Sequence, residues 1–130
     1  MPGGTMIGWR GLATSAVASL YDALFLNGGF TIMTRPDGSA DVPTDGYAVS
    51  ITPTQHTIPA AAPFDAFAEL VHGVTDRYGD ANGLGGWLAD GVIYIDPVEI
   101  VLERQTATLA GKQREQLAIF DLAEGTEITL

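Results

Sequence analysis

The side chains best suited to chemistry in this sequence belong to two histidines, His56 and His72. Glu69 lies three residues before His72 and Asp76 four residues after it, and residues at these spacings share one face of a helix. Imidazole and carboxylate groups on one face could bind a metal ion or transfer protons. The solvated face of an amphipathic helix gives the same pattern, and this simpler interpretation is preferred. Glu69, His72 and Asp76 remain a candidate polar site, and no metal ion or cofactor is predicted.

Other patterns for catalysis or phosphate binding are incomplete. None of the serines lies in the Gly-x-Ser-x-Gly motif of a hydrolase, and the chain has no cysteine nucleophile. Residues 83–86 lack the lysine of a phosphate-binding loop, and residues 80–83 match only part of a calcium loop. Because sixteen acidic residues make some carboxylate pair inevitable, a carboxylate-based enzyme stays an alternative. Asp90 and Asp96 flank a predicted strand, but nothing in the sequence places them across a pocket.

A tryptophan beside glycines is the best candidate for contact with a partner. Trp87 follows Gly86, and tryptophan is enriched among the residues that contribute most to protein interfaces. A tryptophan on a strand packs more often in the core, so this second interpretation is kept. Asp80 and Asp90, which come before and after Trp87, complete the predicted interaction site.

The charge of the chain narrows the choice of partners. Sixteen Asp and Glu residues oppose six Lys and Arg residues, which gives a formal net charge of −10. Binding to nucleic acids or anionic membranes needs clustered cations, but these six are scattered along the chain, so neither partner is predicted. An acidic surface favours solubility and basic protein partners. The absence of cysteine fits a reducing compartment, and a cytoplasmic location is predicted.

The length and composition predict one domain. A chain of 130 residues, 46% of them hydrophobic, can bury a core without disulfides. Residues 1–11 are predicted to be an irregular or flexible segment, and residues 12–130 a single α+β domain. The predicted architecture is a mostly antiparallel sheet packed by two amphipathic helices and one short helix.

Spacing and turn residues divide the first half of this domain. Apolar residues at helical spacing predict a helix over residues 12–26. Alternating apolar and polar residues predict strands at 30–32 and 47–51, with a Pro-Asp-Gly turn at 36–38 between them. Residues 52–63 contain three prolines and are predicted to form an extended connector.

The second half contains the best-defined helix, which begins at Pro63 and ends at Gly79. Residues 96–99 match a helix N-terminus with Asp96 as its cap, but the alternation of apolar residues over 96–104 favours an extended segment. The remaining predictions are a flexible glycine-rich loop at 80–86, a hairpin at 87–95 turning at Asp90-Gly91, a short helix at 106–114 and strands at 116–121 and 127–130.

A series of turn glycines and strand cores extends across residues 28–130. It comprises residues 46–51, Gly86-Trp87, Asp90-Gly91 with residues 92–96, then Val101, Arg104 and Ala107, residues 116–122, Gly125 and Glu127-Ile128. In these residues the chain resembles small uncharacterised proteins of actinobacteria and their phages. The resemblance implies a phage or mobile-element protein that binds a host protein in the host cytoplasm, including components of host defence. The matching residues are structural in character, so no functional residue is carried over.

The sequence as a whole favours a small, acidic, non-enzymatic module that binds a host protein. One alternative is a small enzyme or ligand-binding protein that uses carboxylates and histidine. A second alternative is a self-associating structural or assembly protein, in which the strands at 92–95 and 116–121 expose an edge for pairing.

Overall fold

The computed structural model describes residues 14–34 and 39–130, which form three helices and eight strands. The helices are α1 (Thr14–Asn27), α2 (Phe64–Arg77) and α3 (Arg104–Gln113). The strands are β1 (Gly29–Thr34), β2 (Ala40–Asp41), β3 (Tyr47–Ser50), β4 (His56–Pro59), β5 (Gly83–Ala89), β6 (Val92–Val101), β7 (Ala118–Asp121) and β8 (Thr126–Thr129). The N-terminal segment 1–11 and the turn predicted at 36–38 lie outside the described residues.

The strands join one antiparallel sheet in the order β2-β1-β5-β6-β3-β7-β8, and β4 pairs with β6 beside this path. The α+β prediction is therefore confirmed. The hairpin between β5 and β6 turns at Asp90-Gly91, where both residues have positive φ, as a two-residue hairpin turn requires. Strand β6 runs through Val101, so the extended interpretation of residues 96–101 is also confirmed.

Strands β3 and β4 pair in turn with the same edge of β6. Ser50 lies opposite Val98 and His56 lies opposite Ile95, so residues 51–55 loop out where β6 passes Asp96 and Pro97. The Ile51 amide still donates a hydrogen bond of 3.1 Å to the Pro97 carbonyl. One interrupted strand therefore borders β6, and its interruption opens the sheet at Asp96.

All three described helices pack on one side of the sheet, called here the inner face. Side chains alternate along a strand, so Ile93, Ile95 and Val101 of β6 share one face. Ile93 and Ile95 belong to the core under α1 and α2, and Val101 packs against the smaller cluster under α3. The apolar stripes predicted for the first two helices are buried there, at Val17, Leu20, Leu24, Phe67, Val71 and Val74.

The opposite side, the outer face, carries no helix within the described residues. Register and alternation place the following side chains there: Thr31, Trp87, Tyr94, Asp96, Val98 and Phe120. Trp87 is 43% exposed and Phe120 is 37% exposed. The described part of the protein is therefore a two-layer structure whose sheet keeps one face uncovered by helices.

The loop predicted at residues 80–86 is wrong, because residues 83–86 belong to β5. Glycine is normally unfavourable in a strand, but here larger side chains use the space it leaves. A Cβ atom on Gly83 would lie 2.8 Å from Val98 Cγ2, and a Cβ on Gly86 would collide with the Phe30 ring. Neighbouring strands thus supply the side-chain packing that β5 lacks.

Two further expectations are corrected. The connector predicted at 52–63 contains β4, which pairs with β6 despite ending at Pro59. The strands at 92–95 and 118–121 are not sheet edges, since β6 has neighbours on both sides and β7 lies between β3 and β8. That route to self-association is therefore removed. None of the three described helices is long and apolar enough to cross a membrane.

Candidate functional site

A cleft of about 100 Å³ lies on the outer face, where residues 51–55 loop away from β6. Its lining includes one carboxyl group, the hydroxyl groups of Ser and Thr residues, two side-chain amides and a pair of aromatic rings. The lining residues are Asp96, Ser50, Thr52, Thr54, Gln55, Gln116, Trp87 and Tyr94, together with Pro53, His56 and Ile95. The interruption between β3 and β4 positions the polar groups, and the paired strands β5 and β6 position the aromatic ones.

Asp96 is the carboxyl group of this cleft, and its surroundings alter its ionisation. Burial raises the pKa of Asp96 from 3.8 to about 6, and the hydrogen bond from Ser50 opposes that shift only in part. The Ser50 Oγ lies 3.0 Å from Asp96 Oδ1 and 2.9 Å from the Thr52 carbonyl oxygen. The single hydroxyl proton of Ser50 is shared between the Asp96 carboxyl group and the Thr52 carbonyl oxygen. With a pKa of about 6, this carboxyl group is protonated in mild acid and mostly ionised at neutral pH.

Trp87 and Tyr94 form the aromatic side of the cleft. They lie directly opposite each other on β5 and β6, and their rings stack with centroids 5.0 Å apart and planes inclined by 10°. Tyr94 and Asp96 are alternate residues of one strand, so their Cα atoms are roughly 7 Å apart on the same face. A stacked aromatic pair thus lies beside the partly buried carboxyl group of Asp96.

His56 borders the cleft, but its ring is directed to the inner face. The His56 Nε2 lies 3.4 Å from the Tyr78 hydroxyl, and the two rings meet edge to face. Burial, and then the positive charge of Arg77, lower the pKa of His56. Ser50 instead makes its hydrogen bonds with Asp96 and Thr52. In the described structure, therefore, no serine–histidine pair for nucleophilic catalysis forms at this cleft.

The predicted interaction residues do not gather at one place. Trp87 lies on the cleft, and Asp90 occupies the nearby hairpin turn with a φ of 52°. Asp80 precedes β5, so the length of that strand, roughly 20 Å, separates it from Asp90. Trp87 is the member of the three that the structure connects to a cleft.

The candidate polar site on α2 lies elsewhere. Glu69, His72 and Asp76 are all exposed on that helix, away from the outer face. Across residues 14–34 and 39–130, no group of three or more His, Asp or Glu side chains could hold a metal ion.

Asp96 and Ser50 were not predicted as a site, since they are 46 residues apart and meet only through the β3–β6 register. One feature of the sequence did indicate a role for Asp96. An acidic residue stands between the apolar residues Ile95 and Val98 of a continuous strand, where a charge is unfavourable unless it has a role.

A second depression, of about 310 Å³, lies along α3. Five residues of this one helix line it: Arg104, Gln105, Thr108, Leu109 and Lys112. No other described element lines it, so it is the open surface of one helix rather than an enclosed binding site.

The described cations lie in the helical layer, whereas acidic residues occur in both layers. No strand contains Lys or Arg, and the cations lie on α2 and α3 or just after α3, at Arg77, Arg104, Lys112 and Arg114. Arg114 makes an ion pair of 2.6 Å with Glu99. Alternation places the acids Asp41, Asp96 and Glu127 on the outer face. The described outer face is therefore acidic and aromatic.

Comparison of the chain with protein-family models, with curated proteins and with solved structures finds no match.

Proposed function

We propose that this chain is a small, acidic, non-enzymatic protein-binding module that uses the outer face of its sheet. The observation that carries the proposal is the stacked pair of Trp87 and Tyr94 on a sheet face that no described helix covers. Large aromatic side chains supply much of the binding energy in protein interfaces. Trp87 keeps 43% of its surface exposed, and burying it against a partner would release that area from water.

The charge of the same face indicates a basic partner. Its described strand residues include Asp41, Asp96 and Glu127 but no cation. An acidic surface attracts a basic protein surface and repels nucleic acid. This attraction also raises the rate at which the two protein surfaces meet. The partner surface is therefore proposed to be rich in arginine and lysine.

The resemblance to small proteins of actinobacteria and their phages gives this binding a biological setting. We infer a phage or mobile-element protein that acts in the cytoplasm on a host protein, with components of host defence among the candidates. The mode of contact follows from the outer face, and the setting follows from the resemblance alone.

Site-specific cross-linking tests the proposal. A photoreactive amino acid is placed at Thr57, which is exposed on β4 opposite Tyr94, and in a second protein at His72, which is exposed on α2. In lysate of an actinobacterial host, we expect the Thr57 position to capture a discrete protein that the His72 position does not. Capture should be lost in Trp87→Ala. Equal capture from both positions, or capture unaffected by folded Trp87→Ala, would show that the outer face is not the binding surface.

A second candidate function, a small-ligand protein, is favoured by Asp96, because a partly buried carboxyl group with a raised pKa beside a cleft is typical of binding sites. It predicts that a low-molecular-weight fraction of the same lysate raises the melting temperature of the protein and not that of Asp96→Asn. A shift produced only by the protein fraction would favour the binding module.

A further inference from the structure

We propose that the cleft between residues 51–55 and the Trp87–Tyr94 pair binds one arginine side chain of the partner, with Asp96 as the counter-ion of its guanidinium group. This inference rests on the proposed function, because the arginine is taken to belong to the protein partner. Binding of a guanidinium group by the cleft can nevertheless be tested in the absence of the partner.

The first support is the position of the carboxyl group. Asp96 accepts a hydrogen bond from Ser50 through Oδ1, which leaves the lone pairs of Oδ2 and part of those of Oδ1 for another donor. No Lys or Arg is among the described residues that line the cleft. Asp96 is partly buried, and desolvation disfavours its ionised form, so a cation entering this cleft would offset an existing cost.

The second support is the aromatic pair beside it. A guanidinium group lies flat on aromatic rings and binds carboxylates through a planar fork of donors, and it is less strongly hydrated than an ammonium group. Trp87 and Tyr94 offer ring surface, and Asp96 offers the carboxylate, on one face of two neighbouring strands. This combination favours arginine over lysine.

The third support is the size of the cleft. About 100 Å³ corresponds to roughly three water molecules, which suits the end of one side chain and excludes a folded peptide. Thr52 and Gln116 also line the cleft, and their hydroxyl and amide groups can supply further polar contacts. The partner main chain would therefore remain outside, on the exposed surface around Trp87.

The pH dependence of this binding follows from the groups that face Asp96. β6 contributes Tyr94 and β4 contributes His56, whereas the lining residues from β3, β5, residues 51–55 and Gln116 do not titrate near neutrality. Arg77 lies on α2, and Arg114 pairs with Glu99 at the end of α3. Since only the ionised Asp96 attracts a cation and its pKa is about 6, binding should be about tenfold weaker near pH 5 than near pH 7.5.

The test uses the full chain and two probes that differ in charge. The probes are Nα-acetyl-arginine amide and its neutral isostere Nα-acetyl-citrulline amide, and the readout is the nitrogen–proton NMR spectrum. Loss of a signal in Trp87→Phe identifies the Trp87 indole among the two indoles of the chain. We expect the arginine probe to shift the Trp87 indole and the amide signals of Ser50 and Asp96 in a saturable way, with the stated pH dependence.

Asp96→Asn keeps the shape of the side chain and removes its charge, and Glu124→Gln removes one exposed charge at a distant turn as the matched control. We expect Asp96→Asn to lose the arginine response and Glu124→Gln to retain it. An equal response to citrulline, no response up to the solubility of the arginine probe, or unchanged binding by folded Asp96→Asn would each overturn the inference. If the arginine probe fails while Thr57 still captures a partner, only the arginine site is wrong; if the probe binds and no partner is captured, only the proposed function fails.

Discussion

From its raised pKa, we expect Asp96 to lower the stability of the protein at neutral pH. Its pKa is raised from 3.8 to about 6 in the folded state, so between these values the folded chain holds the proton more tightly than the unfolded chain does. The stabilising effect is complete below about pH 4 and is lost as the pH rises through 6. Above that, ionised Asp96 reduces the free energy of unfolding by up to about 3 kcal/mol.

Replacing Asp96 by asparagine should therefore stabilise the protein near pH 7.5, by about 1–3 kcal/mol, because the amide keeps the contact with Ser50 and carries no charge. The gain should shrink towards zero as the pH falls to about 4, where the wild-type carboxyl group is protonated in the folded state. Urea denaturation at several pH values measures this difference. Glu124→Gln should show no comparable trend, and a gain for Asp96→Asn that is equal at both ends of the range would refute the assignment.

Strand β5 depends on its neighbours for side chains, and this dependence can be tested with a pair of glycines. In Gly86→Ala the new Cβ would lie 2.7 Å from Phe30 Cζ and 3.1 Å from Ile95 Cδ1, so we expect a loss of about 1–3 kcal/mol from overpacking. In Gly73→Ala the Cβ meets nothing within 4 Å on an exposed helix, so we expect a gain of about 0.5–1 kcal/mol.

Thermal and urea denaturation of both alanine variants provide the comparison. The opposite signs of the two changes in the free energy of unfolding matter more than their magnitudes, because both substitutions make the same chemical change in different surroundings. A stabilised Gly86→Ala would mean that the Phe30 ring does not occupy the space above β5.

The elements also show what the sequence could and could not predict. The stripes of α1 and α2 and the Asp90-Gly91 hairpin follow from local spacing, and they were predicted. Strand β5 was missed because its packing atoms come from Phe30, Val98 and Ile100, and β4 because its prolines suggested a connector. The cleft was missed for the same reason, since the contact of Ser50 with Asp96 exists only once β3 and β6 are paired.

Within the described residues, the strands contain acids and no cation, whereas the helical layer contains all four cations and also acids such as Asp65, Glu69 and Asp76. The described sheet is therefore the more acidic of the two layers. In the field of a basic partner the protein would turn its sheet towards that partner before contact, which raises the association rate.

The association rate with a captured partner should therefore fall as the salt concentration rises, since ions screen charges beyond about 10 Å at 0.1 M. Glu127→Gln on the outer face should lower that rate, and Lys112→Gln on α3 should leave it unchanged or raise it slightly. Surface plasmon resonance at several salt concentrations measures both. An association rate that is independent of salt, or equal losses in the two variants, would contradict electrostatic steering through the outer face.

The interruption between β3 and β4 has a consequence for variation among related chains. Residues 51–55 form one wall of the cleft, yet the pairing of β6 is anchored on both sides of them, by Ser50 opposite Val98 and by His56 opposite Ile95. Insertions or deletions in this segment can therefore change the depth and chemistry of the cleft while the sheet register is kept, because surface loops tolerate changes of length at little cost. The protein thus has one segment in which new ligand preferences can evolve without a new fold.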